Sequence, residues 1–118
     1  MNKPETPQAA GGKWYRGQRL QNGDVRVQVA MPSGHVRPLR HHVRHSPSGL
    51  EWGYGGSGPS DLARSILINC VGRKLADRHY MQFKFDFVAR WSDSWEISEV
   101  KIREWLAAQE ARIGGGVA

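Results

Sequence analysis

The sequence predicts an α+β domain, a mainly antiparallel five-stranded sheet with helices packed on one of its faces. Three observations lead there. Apolar and polar residues alternate on either side of an Asn22-Gly23 pair, apolar residues recur at helical spacing between Pro59 and Gln82, and the patterns follow one another as β-β-β-β-α-α-β-α. A chain of 118 residues suits one domain. We expect it to run from residue 13 to residue 113, between a flexible N-terminal tail (1–12) and a short C-terminal tail (114–118).

Taken in order, Trp14 to Leu20 reads as the first strand. Asn22-Gly23 then predicts a hairpin, because both residues tolerate the positive φ of a type I′ turn. The second strand places Val25, Val27, Val29 and Met31 on one face and Arg26 and Gln28 on the other. Pro32-Ser33-Gly34 turns the chain into a third strand, roughly Val36 to His45, with Pro38 implying a bulge or an edge. After Ser46-Pro47-Ser48-Gly49, Leu50 to Trp52 makes a short fourth strand.

Helical spacing begins at Pro59, with Leu62, Ala63, Ile66, Leu67, Cys70 and Val71 forming one face up to Gly72. A second helix spans Lys74 to Gln82 on Leu75, Ala76, His79, Tyr80 and Phe83. Phe83 to Trp91 alternates again and predicts the fifth strand, followed by a loop through Ser92-Asp93-Ser94 to Trp95. Ser98 is the N-cap of the last helix, Ile97 and Ile102 its hydrophobic staple, and Gly114 its stop.

Composition removes several functional classes. No apolar run approaches the ~20 residues of a membrane span, and residues 1–12 lack the apolar core of a secretory signal. The single cysteine, Cys70, excludes an internal disulfide framework and fits a reducing cytoplasm. The formal net charge is +6, and its distribution is uneven. Residues 1–45 hold eight Lys and Arg against two acids, whereas residues 46–118 hold nine of each. The whole excess therefore belongs to the first 45 residues, which favours an acidic or polyanionic partner. Arg26, Arg37, Arg40, His42 and Arg44 are the candidate contacts, with Arg26, Arg40, His42 and Arg44 expected to share an exposed sheet face.

The most distinctive stretch is Glu51-Trp52-Gly53-Tyr54-Gly55-Gly56-Ser57-Gly58-Pro59, four glycines in six positions leading into a helix. Gly53, Gly55 and Gly58 match GxGxxG, but a second helix follows where a dinucleotide fold needs a strand. Two readings stand for the loop. Gly53, Tyr54, Gly55, Gly56, Ser57 and Gly58 form a phosphate-binding turn at a helix N-terminus, with Trp52 and Tyr54 as a stacking surface. Alternatively, the glycines serve a tight turn and both aromatics belong to the core.

The same stretch, followed by Leu62-Ala63 and Ile66-Leu67, resembles the signature of the domain of unknown function 6166 family. The resemblance extends to Tyr15-Arg16-Gly17, to Tyr80 with Phe83-Lys84, and to Trp95 through Trp105-Leu106, covering about residues 13–107. It implies a shared fold and a setting among small proteins of bacteria, phages and other mobile elements. It supplies no catalytic residue.

Catalytic and metal constellations are weak throughout. His41 and His45 lie ~13 Å apart on a strand, too far to share an ion. Ser57 lacks the glycine of a nucleophile elbow, since Pro59 stands there. Asp77, His79, Asp86 and Asp93 form no acid–base set. The sequence thus points to a non-enzymatic, cytoplasmic binding protein without cofactor or metal. Its expected partner is a host protein or ribonucleoprotein of a defence complex, which it would inhibit, or a nucleic acid or nucleotide. An exposed edge strand leaves room for a homodimer.

Overall fold

A computed structural model describes residues 11–115. Residues 1–10 and 116–118 of the expected tails (1–12 and 114–118) lie outside them. Strands β1 (Trp14–Arg19), β2 (Val25–Ala30) and β3 (Val36–Pro38) precede helices α1 (Ser57–Val71) and α2 (Arg73–Asp86). A short 3-10 turn (Val88–Arg90), strand β4 (Ser94–Ser98) and helix α3 (Glu99–Gly115) complete the chain. The sheet has four strands in the order β3-β2-β1-β4, every neighbouring pair antiparallel.

The β1–β2 hairpin differs from the expected type I′ turn. Leu20 and Asp24 still pair, through the Leu20 amide and the Asp24 carbonyl at 2.8 Å, so the loop has three residues, Gln21 to Gly23. Only Gly23 takes a positive φ, at 92°. This suits a three-residue hairpin, which needs one left-handed residue at its end.

Register divides the sheet cleanly. Tyr15 lies between Val29 and Ile97, and Gly17 between Val27 and Trp95. These side chains enter a core shared with Leu62, Ile66 and Leu67 of α1 and Ile102 and Leu106 of α3. The helices thus cover one face of the sheet. Residues of opposite parity, among them Arg16, Gln18, Arg26, Gln28 and Glu96, form the uncovered face.

Two expected strands are absent. Leu50 to Trp52 has no partner strand; Trp52 is buried at 2% exposure, and its indole Nε1 donates to the Ser92 carbonyl at 2.6 Å. Phe83 to Asp86 continues α2, and the 3-10 turn follows. The helical stripe Ala76, His79, Tyr80, Phe83 extends to half-buried Phe87, while Phe85 points to solvent and Lys84 is buried. That is the reverse of what an alternating strand requires. The true fourth strand is Ser94–Ser98, in a segment whose two inward residues, Trp95 and Ile97, are too few to signal a strand strongly. Ser98 closes β4 and caps α3, its Oγ accepting from the Lys101 amide at 3.0 Å. That helix passes Gly114 and ends at Gly115.

The third strand is also shorter than expected. Pro38 has no amide to donate, and after the Leu39 amide bonds the Val27 carbonyl at 3.0 Å the ladder stops. From there the chain is held by a side chain of α1. Asp61, fully buried, accepts from the backbone amides of Arg44 (3.1 Å), His45 (2.9 Å) and Ser46 (3.0 Å), and from His41 Nε2 at 2.9 Å. Four donors on one carboxylate replace the strand that the alternation predicts for residues 39–45.

Candidate anion-binding surface

The uncovered face of β1, β2 and β4 forms a groove of about 550 Å³ lined by Arg16, Gln18, Arg26, Gln28, Ser94 and Glu96. Arg16 pairs in register with Gln28 and Arg26 with Gln18, which makes the two arginines diagonal neighbours across the hairpin. Glu96 stands opposite Arg16 on β4. Neither arginine forms an ion pair with a carboxylate among the described residues. Arg40 is exposed and follows the end of β3, outside the lining of this groove. Arg40 likewise has no carboxylate partner among the described residues.

The other candidates separate from this face. Arg37 pairs in register with Val29, so its side chain leaves β3 on the opposite side from Arg26. His42 and Arg44 lie on no sheet face, because Asp61 has pulled their segment into a loop over α1. There they join a second group of positive charges. Arg64 Nε and Arg44 Nη1 both reach Asp77 Oδ1, at 2.7 and 3.3 Å. The bond from Arg64, with the charges of Arg44 and Arg73, holds the Asp77 carboxyl below its ordinary range. Partial burial lowers the pKa of His42, and the positive charges of Arg40, Arg73, Arg64 and His41 lower it further. Arg40 adds its charge beside His42, next to a cluster in which Arg44 and Arg64 bond one exposed carboxylate and Arg73 contributes a further positive charge.

Arg19 illustrates a neutralised arginine. Its guanidinium grips Glu51 through two bonds of 3.1 and 3.0 Å, and that contact lowers the Glu51 pKa. It also lies over the Trp52 ring at 4.9 Å.

Packing gives a reason for glycine at three positions of the loop, Gly53, Gly56 and Gly58. Gly53 has φ of 90°, with the Trp91 carbonyl 3.1 Å from where a Cβ would sit. A Cβ on Gly58 would come within 2.7 Å of Glu51 Cβ, and one on Gly56 would strike the Tyr54 ring. Trp52 is in the core, whereas Tyr54 is about half exposed. Beneath the loop, buried Lys84 donates to the Gly55 carbonyl at 3.3 Å and to Ser60 Oγ at 3.0 Å. The cleft beside Ser57 and Gly58 is lined by Asp24 and Glu51 as well as Ser46 and Ser48.

Arg16 and Gln18 escaped the sequence reading, though the signal was present, and Gln28 was placed beside Arg26 without being named as a contact. Once Val27 and Val29 face inward, hairpin pairing carries Arg16 to the side of Arg26. Arg64 and Arg73 carried no such signal, because only the fold brings α1 and α2 to the loop.

A protein-family model described as "Family of unknown function (DUF6166)" matches residues 15–108 of the chain. No curated protein and no solved structure matches it.

Proposed function

The chain belongs to this family of unknown function, DUF6166, and for it we propose a binding protein, not an enzyme, that engages an anionic partner through the uncovered face of its sheet. The observation that carries the reading is the groove itself. Arg16 and Arg26 line it without carboxylate partners among the described residues, and we extend the surface past the end of β3 to exposed Arg40, which likewise has none. Gln18, Gln28 and Ser94 add neutral hydrogen-bonding groups, as suits a surface that reads oxygen-rich ligands. A net positive surface raises encounter rates with opposite charge, and unpaired guanidiniums can take a phosphate or carboxylate in bidentate fashion.

The glycine-rich loop stays outside this proposal, since Asp24 and Glu51 line its cleft with no Lys or Arg beside them, whereas two arginines outnumber Glu96 in the sheet groove. The more specific form of the reading is an inhibitor of a host defence complex in the bacterial cytoplasm. It is motivated by the resemblance to small phage and mobile-element proteins.

The test uses heparin, a polyanion with no bases to read, alongside short DNA and RNA. The combined variant Arg26→Glu/Arg40→Glu should weaken heparin binding at low salt by at least about tenfold, and Arg37→Glu, on the other side, by less than about threefold. Binding to DNA or RNA that falls steeply with salt identifies a nucleic acid as the partner. Equal losses from both variants would contradict the assigned face.

A further inference from the structure

β4 is the outermost strand on its side of the sheet. On its inner side, the Arg19 amide donates to the Asp93 carbonyl at 2.9 Å, and the Glu99 amide to the Lys13 carbonyl at 2.8 Å. Backbone groups along a strand alternate between its two edges, so the amides of Ser94, Glu96 and Ser98 and the carbonyls of Ser94 and Glu96 face away from β1, while the Ser98 carbonyl opens α3. Alongside this edge runs a second groove, of about 420 Å³, where Phe87, Trp91 and Ile97 provide apolar walls next to Glu96 and Lys101. Neither Glu96 nor Lys101 has an opposite charge within ion-pair distance among the described residues.

We propose that a second copy of this chain docks here, its β4 pairing antiparallel with the first about a two-fold axis. An edge strand with free amides is a template for another strand, and a two-fold makes the same patch serve both copies. The side chains select the register. An axis at Glu96 would set two carboxylates directly opposite each other, which is unfavourable. An axis at Ile97 instead places each Glu96 opposite Ser98 of the other copy and turns it toward that copy's Lys101. The charges left unpaired in one chain then complement each other across the pair. The isoleucines meet on the apolar side, beside Phe87 and Trp91.

The two-fold stands perpendicular to the sheet, so the sheets join edge to edge with their uncovered faces on one side. The groove of Arg16 and Arg26 in one copy is then continued by that of the other, and the binding face is complete only in the pair.

Molar mass measured by light scattering or sedimentation tests this directly. At high micromolar concentration the protein should have twice the 13.3 kDa of one chain. Glu96→Pro removes an outward amide without touching the β1 pairing and should give a monomer with an unchanged circular dichroism spectrum. Glu96→Lys and Lys101→Glu should each weaken the pair by about tenfold or more, and the double variant should restore it. Should Glu96→Pro fail to fold, the charge series decides alone. A wild-type mass of one chain at every concentration would overturn the proposal. So would a dimer that these substitutions leave intact.

Discussion

Asp61 has no exposed surface, yet its carboxyl is held below the ordinary range. Burial acts to raise its pKa, but the bonds from His41 and from the amides of Arg44, Ser46 and His45 outweigh it. With the folded pKa below an unfolded value of about 3.9, the stabilisation is complete above about pH 4 and lost as the pH falls through the folded value. Asp61→Asn keeps the volume and loses the charge, so it should cost roughly 2–4 kcal/mol at neutral pH, read by denaturant unfolding. Its effect should shrink in acid, where the wild-type carboxyl is itself protonated. A loss that does not change with pH would mean that shape, not charge, holds residues 41–46. Cys70 is the converse case. Burial pushes its thiol up to about 11, and the nearby charge of Glu99 adds to the shift. It should resist alkylation in the native protein at pH 8 and react once denaturant is added. Rapid labelling of the folded chain would contradict its place in the core.

Among the elements, α2 was the hardest to read, and its C-terminal turns are where stability distinguishes helix from strand. Phe83 is fully buried against Phe87 and Trp105, at centroid distances of 5.0 and 5.3 Å, whereas Phe85 is half exposed. Phe83→Ala should cost about 3–5 kcal/mol and Phe85→Ala less than about 1 kcal/mol. Similar losses from both would restore the strand. Phe83, Phe85 and Phe87 satisfy a period of two, while Phe83 and Phe87 also satisfy the helical spacing continued from Ala76 and Tyr80. Nothing within residues 83–87 chooses between the periods. The choice is made by the buried stripe already begun on the helix. The hairpin and α1 were legible because their signals are local: a glycine at a turn, and apolar residues at 62, 63, 66 and 67 ahead of Gly72. Strand β3 was cut short by a residue about twenty positions further on, Asp61, which no window around Arg40 contains.

In the whole molecule, the excess positive charge of residues 1–45 was countable from the sequence, but its arrangement was not. Arg19 is neutralised by Glu51, Arg44 in the loop over α1 shares Asp77 with Arg64, and Arg37 faces away. What remains without a carboxylate partner among the described residues includes Arg16 and Arg26, on the sheet face opposite the described helices, and Arg40 just past β3. The most direct measurement is a titration of the isotope-labelled protein with a heparin oligosaccharide, followed by amide chemical shifts. The largest changes should fall on Arg16, Gln18, Arg26, Gln28 and Arg40 and shrink as salt is added. Changes centred on Gly53 to Gly58, or none at low salt, would contradict an anion-binding role for this face.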